Sequence, residues 1–201
     1  MRVSANKKQD RLGLERLIFF SDAVFAIAVT LLALEIRLPA GEGSLTDEQL
    51  LKTLQTIWPK YLGYVVSFLV IGVFWIGHHR KFRFIERYDK NLILLNLILL
   101  MFVAFVPFPT SVIIEYGNQT ATIFYALIMM ILGLLSAAIW RYASLNHRLI
   151  DLQLEQQQCR HEALRTLAVP GVFLLSIFIA FFNADLAKIS WVLIAVVLKL
   201  L

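Results

Sequence analysis

The chain has 201 residues, of which 59% are apolar and only 16% are charged. Soluble domains average about 45–50% apolar and about 25% charged residues, so this composition excludes an ordinary soluble protein and indicates an integral membrane protein. The net charge of +5 does not indicate nucleic-acid binding, because the basic residues cluster beside apolar runs, as they do in the cytoplasmic flanks of membrane helices. The single cysteine, Cys159, excludes a disulfide within the chain.

The first apolar segment begins at Arg16, after a polar and basic stretch that we expect to form a short tail, and ends before Pro39. About 20 apolar residues in a helix cross the roughly 30 Å hydrocarbon layer, so we predict a span over 16–38. The segment carries Asp22, and an unpartnered charge at mid-membrane costs roughly 2.5–3.5 kcal/mol. Asp22 therefore needs a partner or water.

Projection at about 100° per residue separates two faces of this helix. One face is small and apolar and contains a single hydroxyl: Ala23, Ile27, Thr30, Leu31 and Leu34. Asp22 lies about 140° from Ile27, so such a helix could turn Ile27, Leu31 and Leu34 to a central axis while Asp22 faces neighbouring helices. The same spacing is typical of any lipid-facing membrane helix, so this face by itself does not identify a function.

Two further spans follow a short acidic loop and a short helix capped near Thr46 or Asp47. The second span, 58–79, has aromatic residues at its entrance and ends in the pair His78 and His79, followed by a basic turn. The third span, 92–113, contains Asn96 and ends in VPFPT. Because prolines lack the backbone N–H that a helix interior needs, we expect a kink or a loosened end there.

The remaining spans are predicted over 121–142, 164–182 and 186–201. The polar stretch between the fourth and fifth is too rich in charge to cross a membrane, and its leucine spacing indicates extensions of both helices near the membrane surface. The prediction is therefore an all-α polytopic membrane protein, with residues 1–201 forming a single domain of six transmembrane helices.

Charge asymmetry predicts the orientation. Fifteen of the 19 basic residues fall on one side of the six predicted spans, in the N-terminal region, the second-to-third turn, the fourth-to-fifth connection and the C-terminal end. The opposite side keeps only Arg37, Lys52, Lys60 and Lys188, beside several acids. By the excess of Lys and Arg in cytoplasmic loops, we expect both termini to be cytoplasmic.

Signals for catalysis are absent from the sequence. We find no G-x-S-x-G, H-E-x-x-H or glycine-rich phosphate motif, and no T-V-G-Y-G segment that could form a carbonyl filter. Adjacent His78 and His79 form a weak metal pair, because neighbouring helical residues point about 100° apart and no third ligand is suitably spaced. We expect one histidine to turn inward and hydrogen-bond Asp22 or Ser21.

Three sequence patterns resemble a known family. The first helix opens with R-x-x-x-F-S-D, formed by Arg16, Phe20, Ser21 and Asp22; the second ends in W-x-x-H-H, formed by Trp75, His78 and His79; and the third contains Asn96 within LLNLILL. These patterns resemble those of the transmembrane protein 175 family, which contains the endosomal and lysosomal potassium channel and its prokaryotic relatives. The resemblance covers essentially the whole chain.

The resemblance implies a homotetrameric, potassium-permeable cation channel in a prokaryotic plasma membrane, lined by the first helices. It implies an apolar constriction at Ile27, Leu31 and Leu34, with a hydroxyl layer at Thr30. It also implies a polar network that braces this helix, comprising Arg16, Ser21, Asp22, Trp75, His78 and Asn96, with the choice of His78 over His79 open. No enzymatic activity, cofactor or metal is implied; potassium is only the permeant ion.

Three alternatives to a potassium channel remain open from the residues alone. A secondary transporter would normally show paired inverted repeats, which this sequence lacks. A proton-permeable channel would use a hydroxyl-lined path with a histidine nearby. A membrane-embedded metal or redox protein would use His78 and His79.

Overall fold

The computed structural model describes residues 2–38 and 45–200, and the side chains of 11–38 and 45–199. These residues form nine α-helices: α1 Arg2–Leu34, α2 Asp47–Thr56, α3 Trp58–Phe82, α4 Lys90–Phe105, α5 Pro107–Tyr116, α6 Gln119–Ser144, α7 Gln156–Ala180, α8 Ala184–Ile189 and α9 Leu193–Leu200. Within the described ranges the only β-type pairing is an isolated bridge between Ile85 and Ile150. The predicted all-α membrane class is confirmed.

Helix α1 begins earlier than the sequence suggested. The residues expected to form a tail continue it as helix from Arg2, and no proline interrupts them. Gly13 lets the Tyr88 ring approach this part of the helix, because an added Cβ would overlap that ring. At the other end the helix stops at Leu34, followed by a turn at Glu35. Most of the predicted acidic loop, residues 39–44, lies outside the described ranges.

The third span contains the break that its prolines predict. Val106 both ends α4 and begins α5, and its N–H donates to the Val103 carbonyl at 3.1 Å in a tightened turn. Pro107 then occupies the first position of α5, where a missing N–H costs no hydrogen bond. The two helices together cover Lys90–Tyr116, which is long and apolar enough for one crossing. Gly117, at φ 57°, ends α5 in the left-handed conformation that glycine tolerates best.

Five segments among the described residues are long and apolar enough to cross a membrane: Arg11–Leu34, Trp58–Phe82, Lys90–Tyr116, Gln119–His147 and Gln156–Ala180. The predicted sixth span corresponds to α8 and α9, which are separated by one 3-10 turn at Ser190–Val192. Neither α8 nor α9 alone is long enough to cross a membrane. The six predicted segments therefore appear as five long crossings, the third of which is broken at Val106, and one irregular helical stretch.

Helices α6 and α7 share the most extensive contact among the described helices. Gly133 on α6 allows this approach, because a Cβ added there would lie 2.6 Å from Cδ of Pro170 on α7. The adjoining core contains fully buried Tyr125, Phe173 and Trp140, and the Trp140 indole N–H donates to the Cys159 carbonyl at 3.1 Å. This pair forms one wall of the bundle, and α1 packs on the other side against α3, α4 and α5.

Two connections pack together at one end of the bundle, which we call the connection end. They are residues 83–89, between α3 and α4, and residues 145–155, between α6 and α7. The Glu86 N–H donates to the Leu149 carbonyl at 2.9 Å, and Ile85, Leu149 and Ile150 are buried. The polar stretch after the fourth span therefore includes a packed loop between the two helix extensions.

The contact at Gly133 generates the first prediction. Gly133→Val should lower the stability of the purified protein by about 1–3 kcal/mol, because the added side chain overpacks the α6–α7 interface. Gly72→Val is the matched control, since a Cβ at Gly72 meets nothing within 4 Å. Thermal unfolding in detergent measures both variants, and equal melting temperatures would contradict the close packing at Pro170.

Candidate functional site

Helix α1 divides into two faces along its membrane segment. The buried face consists of Leu14, Leu17, Ser21, Phe25, Ala28 and Leu32, which recur every three or four residues as one side of an α-helix requires. Packing of this face against α3, α4 and α5 buries it. The sequence of α1 therefore fixes which side points into its own bundle.

The opposite face of α1 is not covered by the other described residues. Ile27 and Leu34 are 58% and 61% exposed, and Leu31 is 39% exposed. Thr30 and Ala23 lie on the same exposed side, and the Thr30 hydroxyl donates to the Ile27 carbonyl at 2.8 Å. We call Ala23, Ile27, Thr30, Leu31 and Leu34 the open face.

A chain of buried hydrogen bonds holds the buried face of α1. His78 Nε2 lies 2.9 Å from Asn96 Oδ1, Asn96 Nδ2 donates to Ser21 Oγ at 2.9 Å, and the Ser21 hydroxyl donates to the Leu17 carbonyl at 2.8 Å. The donor order fixes the protons: Asn96 Oδ1 only accepts, so His78 carries its proton on Nε2. We call Ser21, Asn96 and His78 the polar anchor, which joins α1, α3 and α4.

The structure places His78, rather than His79, in the interior. The His78 ring stacks on Phe82 with centroids 4.2 Å apart, and its other neighbour is Phe25 at 5.6 Å. His79 is exposed and stacks on Trp75 at 5.8 Å. The two rings diverge as adjacent helical positions must, so they do not face a common ligand.

Asp22 has a separate partner. The Trp75 indole N–H donates to Asp22 Oδ1 at 2.8 Å, which joins α1 to α3 beside the polar anchor. Asp22 is half-buried and lies off the open face. The expected direct bond between a histidine and Asp22 or Ser21 is not formed. Asn96 bridges His78 and Ser21 by hydrogen bonds, and Asp22 accepts from Trp75 instead.

Two residues of the R-x-x-x-F-S-D pattern lie outside these contacts. Arg16 is exposed, and its side chain has no hydrogen-bond partner among the described residues. Phe20 is 52% exposed. Arg16 stands about 140° from Ser21 and about 120° from Asp22 around the helix, so within one chain the predicted six-residue network is reduced to the polar anchor and the Asp22–Trp75 pair.

A second buried polar cluster was not predicted from the sequence. Thr110 Oγ1 donates to the Val106 carbonyl at 2.9 Å and lies 3.1 Å from Ser67 Oγ, which is 3.2 Å from the Tyr125 hydroxyl. These hydroxyls join α3, α5 and α6, and the Val106 carbonyl also accepts the Thr110 backbone N–H at 3.1 Å. The only signal in the sequence was Thr110 directly after the two prolines.

Comparison with known proteins matches this arrangement to one family. A family model described as the endosomal/lysosomal potassium channel TMEM175 matches residues 16–107, the part that contains the open face, the polar anchor and Trp75. A potassium channel of Streptomyces collinus is 37% identical over 181 residues, covering 88% of this chain and 86% of its own length. A potassium channel of Chamaesiphon minutus is 34% identical over 172 residues and 84% of each chain.

A solved structure resembles the whole fold. The crystal structure of a lysosomal potassium-selective channel TMEM175 homologue from Chamaesiphon minutus superposes with a TM-score of 0.81 at 31% identity, covering 94% of this chain and 97% of that one. The similarity therefore extends beyond the matched segment to both walls of the bundle.

The polar anchor generates the second prediction. Asn96→Ala should destabilise the protein by about 1–3 kcal/mol, because His78 Nε2 and Ser21 Oγ lose a partner where water is excluded. Asn91→Ala on the same helix is the control, since Asn91 is exposed and bonds the Tyr142 hydroxyl at the surface. Thermal unfolding of both variants measures the difference in stability, and an equal loss of stability would argue against the buried hydrogen bonds of the polar anchor.

The Asp22–Trp75 pair generates the third prediction. Trp75→Phe should cost about 0.5–1.5 kcal/mol, because it removes the N–H donor to Asp22 and keeps an aromatic ring beside His79. In the Asp22→Asn background the same change should cost less, because a charged acceptor strengthens the bond. A double-mutant cycle from unfolding free energies measures the coupling, and a coupling of zero would contradict the pair.

Proposed function

The chain belongs to the family of the endosomal/lysosomal potassium channel TMEM175, and from this premise we propose that it is a homotetrameric, potassium-permeable cation channel with a pore lined by α1. One helix cannot enclose a water path, whereas four copies of one helix about a common axis can. The family is one of ion channels, so conduction rather than catalysis is the activity we assign.

The observation that carries the proposal is the uncovered open face of α1. Its apolar residues remain exposed, while the opposite side of the same helix is fully packed. Small residues at Ala23 and Ala26 are also exposed, and small residues let membrane helices approach closely. An exposed apolar face beside small residues suits contact with symmetry-related copies.

Ile27, Leu31 and Leu34 form the constriction in this proposal. Leu34 lies seven positions after Ile27, which is about 10 Å along a helix, so four copies give a short apolar neck. Such a neck resists hydrated ions by excluding water when narrow. Thr30 adds the single hydroxyl layer inside it, where its oxygen can replace part of an ion's lost hydration.

The polar anchor sets the rotation of α1 in this arrangement. Ser21 lies on the side opposite the open face, and its bond to Asn96 fixes that side against α4. Trp75 holds the Asp22 carboxylate against α3. The role of these residues is therefore to position the pore helix, while the ion meets only the open face.

The orientation we propose is both termini in the cytoplasm of a prokaryotic cell, with the chain in its plasma membrane. Arg80 and Glu162 pair across α3 and α7 at the connection end, where the 83–89 and 145–155 connections carry several of the basic residues. Lys60 and Glu115 pair at the opposite end. The excess of basic residues at the connection end favours a cytoplasmic location for it.

The rivals predict different transport behaviour. A secondary transporter gives saturable, stoichiometric exchange instead of conductance. A proton-permeable channel gives a reversal potential that follows the pH gradient. A metal or redox protein using both histidines is disfavoured, because His78 Nε2 is bonded to Asn96 while His79 points outward.

The pore assignment generates the fourth prediction. In liposomes, the wild-type protein should pass potassium, and Ile27→Asn should raise the flux several-fold, because a polar ring lowers the barrier of an apolar neck. Ile27→Leu is the control, since it keeps the volume and polarity of the side chain. Flux assays with imposed potassium, sodium and proton gradients measure the wild type and both variants, after native mass spectrometry has established the number of subunits.

Several outcomes would overturn the proposal. A purified protein that is not tetrameric, or a verified tetramer without potassium flux in wild type and Ile27→Asn, contradicts it. Equal flux in Ile27→Asn and Ile27→Leu contradicts the constriction. Saturable exchange would support the transporter, and a reversal potential set by protons alone would support the proton channel.

A further inference from the structure

A cavity of about 190 Å³ lies between α3, α6, α7 and the C-terminal helix α9, away from the open face. Its lining combines cationic side chains, Arg80, Lys81 and Arg165, with the hydroxyls of Ser136 and Thr166 and an apolar wall. No part of the proposed pore uses these residues. The cavity is therefore a second candidate site in the same chain.

The lining changes from apolar to cationic along two antiparallel helices. On α3, Val73 and Ile76 precede Arg80 and Lys81, and on α7 Val169 follows Arg165. Because α3 runs towards the connection end and α7 runs away from it, both sequences place their cations at that end and their apolar residues nearer the bilayer centre. The cavity is thus amphipathic in the direction of the membrane normal.

Charge within the cavity is not balanced by the described residues. Glu162 is buried, and Arg80 holds both of its carboxylate oxygens through Nε and Nη2 at 2.8–2.9 Å. Lys81 is only 3% exposed and donates to the Ser136 hydroxyl, with no carboxylate within ion-pair distance in the described ranges. Glu162 therefore neutralises Arg80, while Lys81 and Arg165 have no carboxylate partner among the described residues.

Arg165 adds an unfilled donor. Its Nε is buried and has no hydrogen-bond partner among the described residues. A buried N–H without a partner is destabilising, and more so when the group is charged. Lys81 and Arg165 both line the cavity, so an anion with several acceptor oxygens would satisfy both.

We propose that this cavity binds the phosphate group of an anionic phospholipid, with Lys81 and Arg165 on the phosphate and an acyl chain along Val73, Ile76 and Val169. A phosphate supplies the acceptor oxygens and negative charge that the lining lacks. The apolar wall favours a lipid over a free anion, since an inorganic phosphate would leave that wall without a partner. Basic pockets between transmembrane helices at the cytoplasmic side are a known form of lipid headgroup site.

The first test removes charge. Native mass spectrometry of the delipidated oligomer, titrated with phosphatidylglycerol, should show one tightly retained lipid per subunit, and Arg165→Gln should weaken retention about tenfold or more, as expected for loss of a charge-assisted hydrogen bond. Lys81→Met should do the same. Arg160→Gln is the matched control, because it removes one positive charge from the same helix at an exposed position.

The second test fills the cavity without changing its charge. Gly77 lines the cavity, and a Cβ there would lie 3.8 Å from Lys81 Nζ. Gly77→Val should therefore reduce phosphatidylglycerol retention, whereas Gly72→Val on the same helix should not, since its position opens on empty space. This pair keeps the proposal testable even if a charge variant folds poorly.

Comparison with phosphatidylcholine and with inorganic phosphate shows whether the bound phosphate group belongs to an anionic lipid or to a free anion. Stronger retention of phosphatidylglycerol than of phosphatidylcholine supports an anionic lipid. Thermal stabilisation by inorganic phosphate alone, lost in Arg165→Gln, supports the phosphate site and assigns it to a free anion. Equal retention of both lipids without phosphate stabilisation, or equal behaviour of Arg165→Gln and Arg160→Gln, overturns the proposal whether or not the chain conducts ions.

Discussion

The hydrogen bonds from His78 through Asn96 to Ser21 constrain the rest of the structure. In the membrane interior water cannot replace a lost partner, so three polar side chains on three helices must meet or each costs free energy. Meeting requires α1, α3 and α4 to adopt one rotation each. The open face of α1 is then determined, because it is whatever remains opposite Ser21.

The sequence predicted the fold to the extent that hydropathy and prolines carry it. Apolar runs of sufficient length mark the long helices, and Pro107 marks the break between α4 and α5. The irregular stretch after Asn183 was not visible, because a short apolar run reads the same whether its helix is continuous or interrupted. The N-terminal extension of α1 was also missed, since polar residues near a terminus suit either a tail or an exposed helix.

The candidate site, too, was predicted only in part from the sequence. Helical spacing alone separated Ile27 from Asp22, because both lie on one element and the angle between them is fixed. Spacing could not assign partners across helices. It could not show that Asn96 bridges His78 and Ser21, or that Trp75 donates to Asp22. It could not show that Arg16 is exposed either, since all of this depends on the relative placement of α1, α3 and α4.

In the proposed tetramer, the bond from the Thr30 hydroxyl to the Ile27 carbonyl would influence which sign of ion can permeate. Its proton is directed along the helix, so the oxygen turns its lone pairs outward. Four such oxygens around a narrow axis would form an electron-rich collar that attracts cations and repels chloride, without any carboxylate in the path. Discrimination between cations and anions would then arise from the rotamer of the Thr30 side chain, which its bond to the Ile27 carbonyl fixes.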